Sequence, residues 1–437
     1  MARQLFALAV VILVGVSAGE GRLGPTRAWA SGPTSALPAG AKTTAARGEI
    51  RFIAADQGRL AMIVQGGLVQ GGPAPAQSVA VWDAARGSVV RFGSASRDTT
   101  GHAFNAFSWD VALGADSVAW VEQVCLCAHE TPMLVELARL DRPSSKPSIV
   151  AFTSSPDGGT GDFLGDLHSG DSVIAFDNYH VCDQECPSPY KPLETSRTQD
   201  WLVGAGQQGA CASIDSGAGE GSTIFVPESS VRCARLRAAD GTSEVVAVGS
   251  GRIALAGADG SVDLVDTGGH KVVTVPSNPT NTIKAVVLDA TQLDLLVRAP
   301  GGGAVLEAHD PTTGALEQSV MLTNTHTSLG PDPCEDACLN SSPSEFPPLR
   351  LEGTRKGIVA YVAKRTLHLL RLADRRDVVV ATSLHSDGLH AQFDDSGLFY
   401  TYDVGDRKHP GRVVHLPWSA VTALVDSGTT CAEQCVS

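Results

Sequence analysis

The 437-residue chain carries a formal charge of −14, from 33 Lys and Arg against 47 Asp and Glu. A field of that sign repels nucleic acid and anionic lipid, which argues against both as general partners. Gly is plentiful (46 residues) and aromatics make up only 5%, so Val, Ala and Leu carry the apolar content, as suits short strands joined by tight turns.

Residues 1–30 read as a Sec-type signal peptide. Arg3 gives a positive start, and Leu5 to Val14 is an apolar run too short to span a bilayer. Cleavage after 18 (Val16-Ser17-Ala18) and after 30 (Ala28-Trp29-Ala30) both fit small-residue specificity, and the two stay open. No later run reaches the ~18 apolar residues of a transmembrane helix. The expected destination is outside the cell, as a secreted or cell-surface protein without a membrane span. Residues 31–46, rich in Pro, Gly, Ala, Ser and Thr, read as a disordered leader.

From 47 to 428 a repeat appears. A turn of Gly, Asp, Ser or Lys precedes a strongly apolar strand at Leu60, Val118, Val173, Ile253, Leu293, Ile358 and Leu398. The interval is 40 residues from Ile253 to Leu293 and again from Ile358 to Leu398, the length of a bare four-stranded propeller blade. A second motif, an Asp-turn-Gly hairpin, follows at Val81-Trp82-Asp83, Leu264-Val265-Asp266, His309-Asp310 and Ala373-Asp374. These patterns predict an all-β chain, a seven-bladed β-propeller of four-stranded antiparallel blades. A pair of β-sandwiches would show similar short strands without the recurring period. Leu367 to Leu372 is the nearest helix candidate, but the Asp turn after it favours a hairpin. Residues 429–437 form a tail with a Cys pair.

Val81-Trp82-Asp83, Gly101-His102 and the turn Asp310-Pro311-Thr312-Thr313-Gly314 resemble WD40 and quinoprotein-like propeller repeats. The resemblance is architectural and covers about 48 to 426. It implies radial sheets around a central channel. Most repeats lack the Gly-His and Trp-Asp pairs on which WD40 blades rely.

Ten cysteines in an exported chain predict disulfides. Cys182 and Cys186, Cys334 and Cys338, and Cys431 and Cys435 share a four-residue separation at which a bridge within each pair is feasible. Up-and-down strand order puts the b–c and d–a connections of a propeller on one face. Cys125, Cys127, Cys182, Cys186, Cys211, Cys233, Cys334 and Cys338 all map to that face, as do the long segments 180–240 and 324–347. The expected binding surface is therefore Cys125, Cys127, His129, Glu130, His180, Cys182, Cys186, Cys334 and Cys338. The alternative is that the bridges only protect long loops from proteolysis.

Cys125, Cys127 and His129, with His180 and Cys182 nearby in a neighbouring blade, present soft ligands suited to copper or zinc. Oxidation to disulfides competes with that reading, and the expectation is no metal and no cofactor. Asp157 to Asp162 and Asp259 to Asp263 place carboxylates near Gly, as calcium loops do, but also as ordinary hairpin turns do. Within 47–428 there is no nucleophile elbow, phosphate loop or zinc-protease motif. The sequence thus points to a monomeric, non-catalytic binding or scaffold module for an extracellular protein, peptide or glycan. The alternative is a propeller enzyme of quinoprotein, lyase or glycan-processing type, with a ligand at the central channel. That alternative would bring Asp110, His168 and Gln392 together at the channel mouth.

Overall fold

The computed structural model describes residues 37–46, 48–65, 77–93, 105–125, 133–145, 147–153, 161–170, 173–181, 223–225, 233–235, 244–257, 259–267, 269–276, 282–299, 302–323, 349–383, 388–402, 411–431 and 435. Strand β1 (Lys42–Ala45) comes first in the chain and joins the last sheet. The first sheet is β2 (Glu49–Asp56), β3 (Arg59–Gln65), β4 (Gln77–Asp83) and β5 (Ser88–Phe92). The second is β6 (Asn105–Leu113), β7 (Ser117–Cys125), β8 (Met133–Arg139) and β9 (Ser148–Thr153). The third is β10 (Gly161–Gly170), β11 (Val173–Val181), β12 (Thr223–Phe225) and β13 (Cys233–Arg235). The fourth is β14 (Glu244–Gly249), β15 (Arg252–Ala256), β16 (Val262–Asp266) and β17 (Lys271–Val275). The fifth is β18 (Thr282–Leu288), β19 (Leu293–Arg298), β20 (Ala304–His309) and β21 (Leu316–Thr323).

The sixth sheet is β22 (Leu349–Arg355), β23 (Ile358–Ala363), β24 (Thr366–Arg371) and β25 (Arg376–Thr382). The seventh holds β26 (Ala391–Asp394), β27 (Gly397–Tyr402) and β28 (Arg412–Pro417), with β1 completing it on the far side of β28. After β28 come helix α1 (Trp418–Asp426) and β29 (Thr429–Thr430), which pairs with β25. Every pairing is antiparallel and follows chain order within a sheet, apart from the additions of β1 and β29. The first strand of each sheet touches the first strand of the next, from β2 through β26 and back to β2, so the sheets close in a β-propeller arrangement.

Four expectations change. Against seven four-stranded blades, only six sheets have four strands, and the sheet of β22 to β25 has β29 as a fifth. Residues 42–45 of the expected leader form an edge strand, with Thr43 opposite Val414. The predicted tail is likewise part of the fold, and its Cys431–Cys435 bridge is present. The Leu367 to Leu372 stretch is a hairpin strand, as its Asp turn implied, whereas the helix α1 was not foreseen.

The seven apolar strands read from the repeat are the second strands β3, β7, β11, β15, β19, β23 and β27. Each has a sheet against both faces, so its side chains are apolar in succession rather than alternating. All six residues of β23 are buried. The core is a set of wedges between neighbouring sheets. Trp82 of the first sheet meets Phe399 of the seventh edge-on at 5.8 Å, and Phe92 meets Trp120 of the second at 6.4 Å.

The hairpin Asp also has a local cause. Asp83 Oδ1 accepts the Arg86 amide at 2.9 Å, Asp266 Oδ1 the His270 amide at 2.8 Å, and Asp310 Oδ1 the amides of Thr312 and Thr313 at 2.7 and 2.8 Å. Each carboxylate satisfies turn amides that the ladder leaves free.

Candidate functional site

The two faces of the ring differ in how they are built. The connections between first and second strands are two to four residues long in all seven sheets. The strand ends joined by the long connections, 182–222 between β11 and β12 and 324–348 between β21 and β22, are at the opposite face.

Side chains and backbone on the short-turn face tie one sheet to the next. Asp289 Oδ1 accepts the amides of Thr291 and Gln292, at 2.7 and 2.8 Å, inside its own turn. Its Oδ2 accepts the Lys356 amide of the sixth sheet at 2.9 Å. Arg355 reaches Asp395 of the seventh sheet, and Asp394 Oδ2 accepts the Gly58 amide of the first. Arg59 then donates to the Ala115 carbonyl of the second sheet. Four successive junctions are thus bonded turn to turn.

This belt borders the mouth of the central channel at Arg355, Asp394 and Asp395. The mouth is open to solvent and is lined by Asp56, Ser169, Thr354, Arg355, Gln392 and Asp394, among others. Its wall is backbone where the inner strands converge. A Cβ on Gly170 would stand 2.6 Å from the Val248 carbonyl oxygen, and one on Gly249 2.3 Å from that of Leu288. Only Gly allows β10, β14 and β18 to approach that closely.

Behind the mouth are two buried carboxyls. Asp294, fully buried, accepts from Gln292 and interacts with Thr354, and burial pushes its pKa up to about 7. Glu352 accepts the Ala391 amide at 2.9 Å and pairs with Arg350. Burial raises the Glu352 carboxyl, while Arg350 and the Ala391 amide pull it back. In the sixth sheet, Tyr361 donates to Asp377 Oδ1 at 2.9 Å, and His368 Nδ1 lies 2.9 Å from Asp377 Oδ2. His368 Nε2 is 2.8 Å from the Thr366 hydroxyl, and Tyr361 stacks on the imidazole at 4.8 Å. Burial, with Asp377 beside it, raises the Tyr361 phenol, which stays protonated. The network spans the second, third and fourth strands and locks them together.

The residues expected at the site divide as follows. Cys125 ends β7 and His180 lies in β11, but their side chains are outside the described residues. Cys127, His129, Glu130, Cys182, Cys186, Cys334 and Cys338 lie outside the described residues altogether, as does Cys211. Cys233 begins β13, the fourth strand of its sheet. It therefore sits at the short-turn end, not with the long connections, because 182–222 is a b–c insertion and β12 and β13 follow it.

Among the channel candidates only Gln392 lines the mouth. Its side-chain amide donates to the Glu352 carbonyl at 3.1 Å. Asp110 accepts the amides of Val111 and Leu167, joining β6 to β10, and His168 is half-buried in β10. Asp110 thus lies beside the His168 backbone, and neither of the two lines the mouth with Gln392. The calcium-like turn is a hairpin: Asp259 accepts the Ser261 amide at 2.9 Å, and Asp263 takes the Thr274 hydroxyl at 2.6 Å and Lys271 at 2.8 Å. Bonds from Ser261 hold the Asp259 carboxyl below its usual range.

Sequence reading missed Asp289, Asp294, Arg355 and Asp394 as a group. Their signal was the Asp of the turns Asp289 to Gln292 and Asp394 to Gly397, but nothing local shows that a second oxygen reaches the neighbouring sheet. No helix among the described residues is long and apolar enough to cross a membrane.

No family model matches the chain, and no curated protein matches it. Solved structures do resemble it. One is a chain of a mitotic checkpoint complex, 11% identical, covering 94% of this chain and 99% of that one, with a TM-score of 0.45. Another is the computationally designed Ika8 protein, 13% identical, covering 86% of this chain and 98% of that one, at 0.40. A third is Raptor of Chaetomium thermophilum, 9% identical, covering 86% of this chain and 29% of that one, at 0.43.

Proposed function

We propose that this protein is a secreted seven-bladed β-propeller that works as a non-catalytic binding or scaffold module. Its b–c and d–a connections, pinned by disulfides, take an extracellular protein, peptide or glycan. The observation that supports this reading is the asymmetry between the faces. One face is spent on short turns bonded to one another, whereas the connections 182–222 and 324–348 leave and re-enter the sheets on the other. A rigid scaffold that carries its long loops on one side is the usual arrangement of a recognition surface.

The test uses the full chain on glycan and peptide arrays. A matched variant has 183–221 replaced by a short Gly-Ser linker, and a control carries Arg59→Ala on the opposite face. Binding by the parent and the control, lost in the loop variant, is the expected result. Binding that survives loop replacement, or turnover of an arrayed glycan, overturns the reading.

A further inference from the structure

The ring is closed by an outer strand. β1 adds to β28 of the seventh sheet, and the next strand in the chain is β2 of the first. Lys42 stands opposite His415 at one end of this pairing, and Ala45 opposite Arg412 at the other. Side chains alternate along β28. Val414 and Leu416 pack in the cluster that holds α1, whereas Val413 packs with Leu60, Met62 and Trp82 of the first sheet. His415 is on the side of Val413, so it points into the seam between the seventh and first sheets. Its ring lies on that of Phe399 in β27, with centroids 4.5 Å apart, and it is only 7% exposed.

The two imidazole nitrogens are in different situations. Nε2 is 2.9 Å from the Ser396 hydroxyl, and that hydroxyl is 2.6 Å from Asp394 Oδ1. Ser396 has one proton and gives it to the carboxylate, the stronger acceptor at the shorter distance. The imidazole therefore donates from Nε2. Asp394 Oδ2 carries the relay on to the Gly58 amide of the first sheet. Nδ1 is buried and makes no hydrogen bond, so it holds a bare lone pair. A second proton would go to Nδ1. It would make a buried N–H without an acceptor, on a cation directly opposite Lys42. Burial, the largest effect, and Lys42 disfavour the charged ring, while Asp394 and the Ser396 backbone favour it, and the net direction is down from 6.5. In the facing turn of the first sheet, Arg59 donates to Ala115 of the second sheet, and Asp56 lines the channel mouth. The turn after β4 receives Lys42 Nζ on the Ala85 carbonyl at 3.5 Å, and its Asp83 and Arg86 pair with each other at 3.7 Å.

We propose that His415 is an acid-sensitive latch on the closure of the ring. With the imidazole neutral, the relay through Ser396 and Asp394 holds and β1 stays on β28. With the imidazole protonated, the cation reaches water and parts from Lys42 only when β1 leaves β28, so the pairing gives way from the Lys42 end. β1 is the element that yields, because it is four residues long and mostly exposed, whereas four of the six residues of β28 are buried. The closed form takes up the proton less readily than the open one. Closure is therefore complete above the ordinary 6.5 and weakens as pH falls through the closed form's own titration.

Hydrogen–deuterium exchange on the full chain tests this between about pH 7.5 and about pH 5, with rates corrected for the intrinsic pH dependence of exchange. In the wild type, protection of amides in 42–46 should fall about ten-fold across that range, with β19 and β23 unchanged. His415→Gln keeps a donor for Ser396 but does not titrate, and should show no such fall. Lys42→Gln, at an exposed position, removes the opposing charge and should reduce the fall to about three-fold. Constant protection in the wild type overturns the proposal, and so does an equal fall in His415→Gln, because another group then titrates. Where His415→Gln does not fold, an undiminished fall in Lys42→Gln overturns it. Equal loss in β19 and β23 also overturns it, because acid then acts on the whole fold. Array binding at neutral pH is a separate readout, so the two proposals fail independently.

Discussion

Thr43 lies opposite Val414 in an antiparallel register, so β1 and β28, more than 360 residues apart in sequence, meet in one sheet. Lys42 to Ala45 pair with His415 to Arg412, and the Ala46 amide extends the contact to the Gly411 carbonyl at 3.0 Å. The seventh sheet is complete only when β1 reaches it. Deleting residues 38–46 should therefore lower stability by about 3 kcal/mol, from a few ladder bonds at ~1 kcal/mol each and the buried Ala46. Guanidinium unfolding of the truncated chain checks this. An unchanged midpoint would mean that the circle of inner strands holds without the seam.

Asp394 makes a different closure, on the short-turn face. Its Oδ1 accepts the Ser396 amide at 2.7 Å, the Ser396 hydroxyl at 2.6 Å and the Gly397 amide at 3.1 Å, while Oδ2 accepts the Gly58 amide. Asp394→Ala strands these donors, the Gly397 amide buried and the others partly so, and should cost roughly 2–4 kcal/mol. Asp394→Asn keeps an oxygen for the turn but turns an amine toward Gly58, and should cost about half as much. Thermal unfolding of the two variants separates the turn from the junction between sheets.

Asp294 gives the molecule a pH dependence. Its folded pKa is raised to about 7 by burial, above the ordinary 3.8. Between these values the folded chain holds a proton that the unfolded chain releases, so this group contributes stability at low pH that is lost as pH rises from ~4 through ~7. Its share is on the order of a few kcal/mol. Asp294→Asn should flatten that slope and be the more stable protein at pH 8. Glu352 acts in the same direction, whereas the His415 imidazole, lowered mainly by burial, opposes it under acid conditions. Both remain in the variant, so the difference between the two unfolding curves across pH isolates Asp294. Parallel curves would show that Asp294 is ionised in the fold.

The sequence by itself determined the all-β class and located the second strand of every sheet, from Leu60 to Leu398. These strands are legible because sheets cover both their faces, which demands unbroken apolar runs such as Ile358 to Ala363. The hairpin Asp residues are legible because they cap their own turns, a bond made within a few residues. What only the tertiary structure decided are the elements defined by a distant partner. Lys42-Thr43-Thr44-Ala45 has no apolar pattern and is a strand because β28 offers it an edge. Thr429-Thr430 is one because β25 does. The channel mouth, the belt through Asp289 and Asp394, and the burial of Asp294 likewise follow from which sheet lies beside which. Strand pairing is made of backbone bonds common to all residues, so local sequence carries the faces that pack but not the edges that meet.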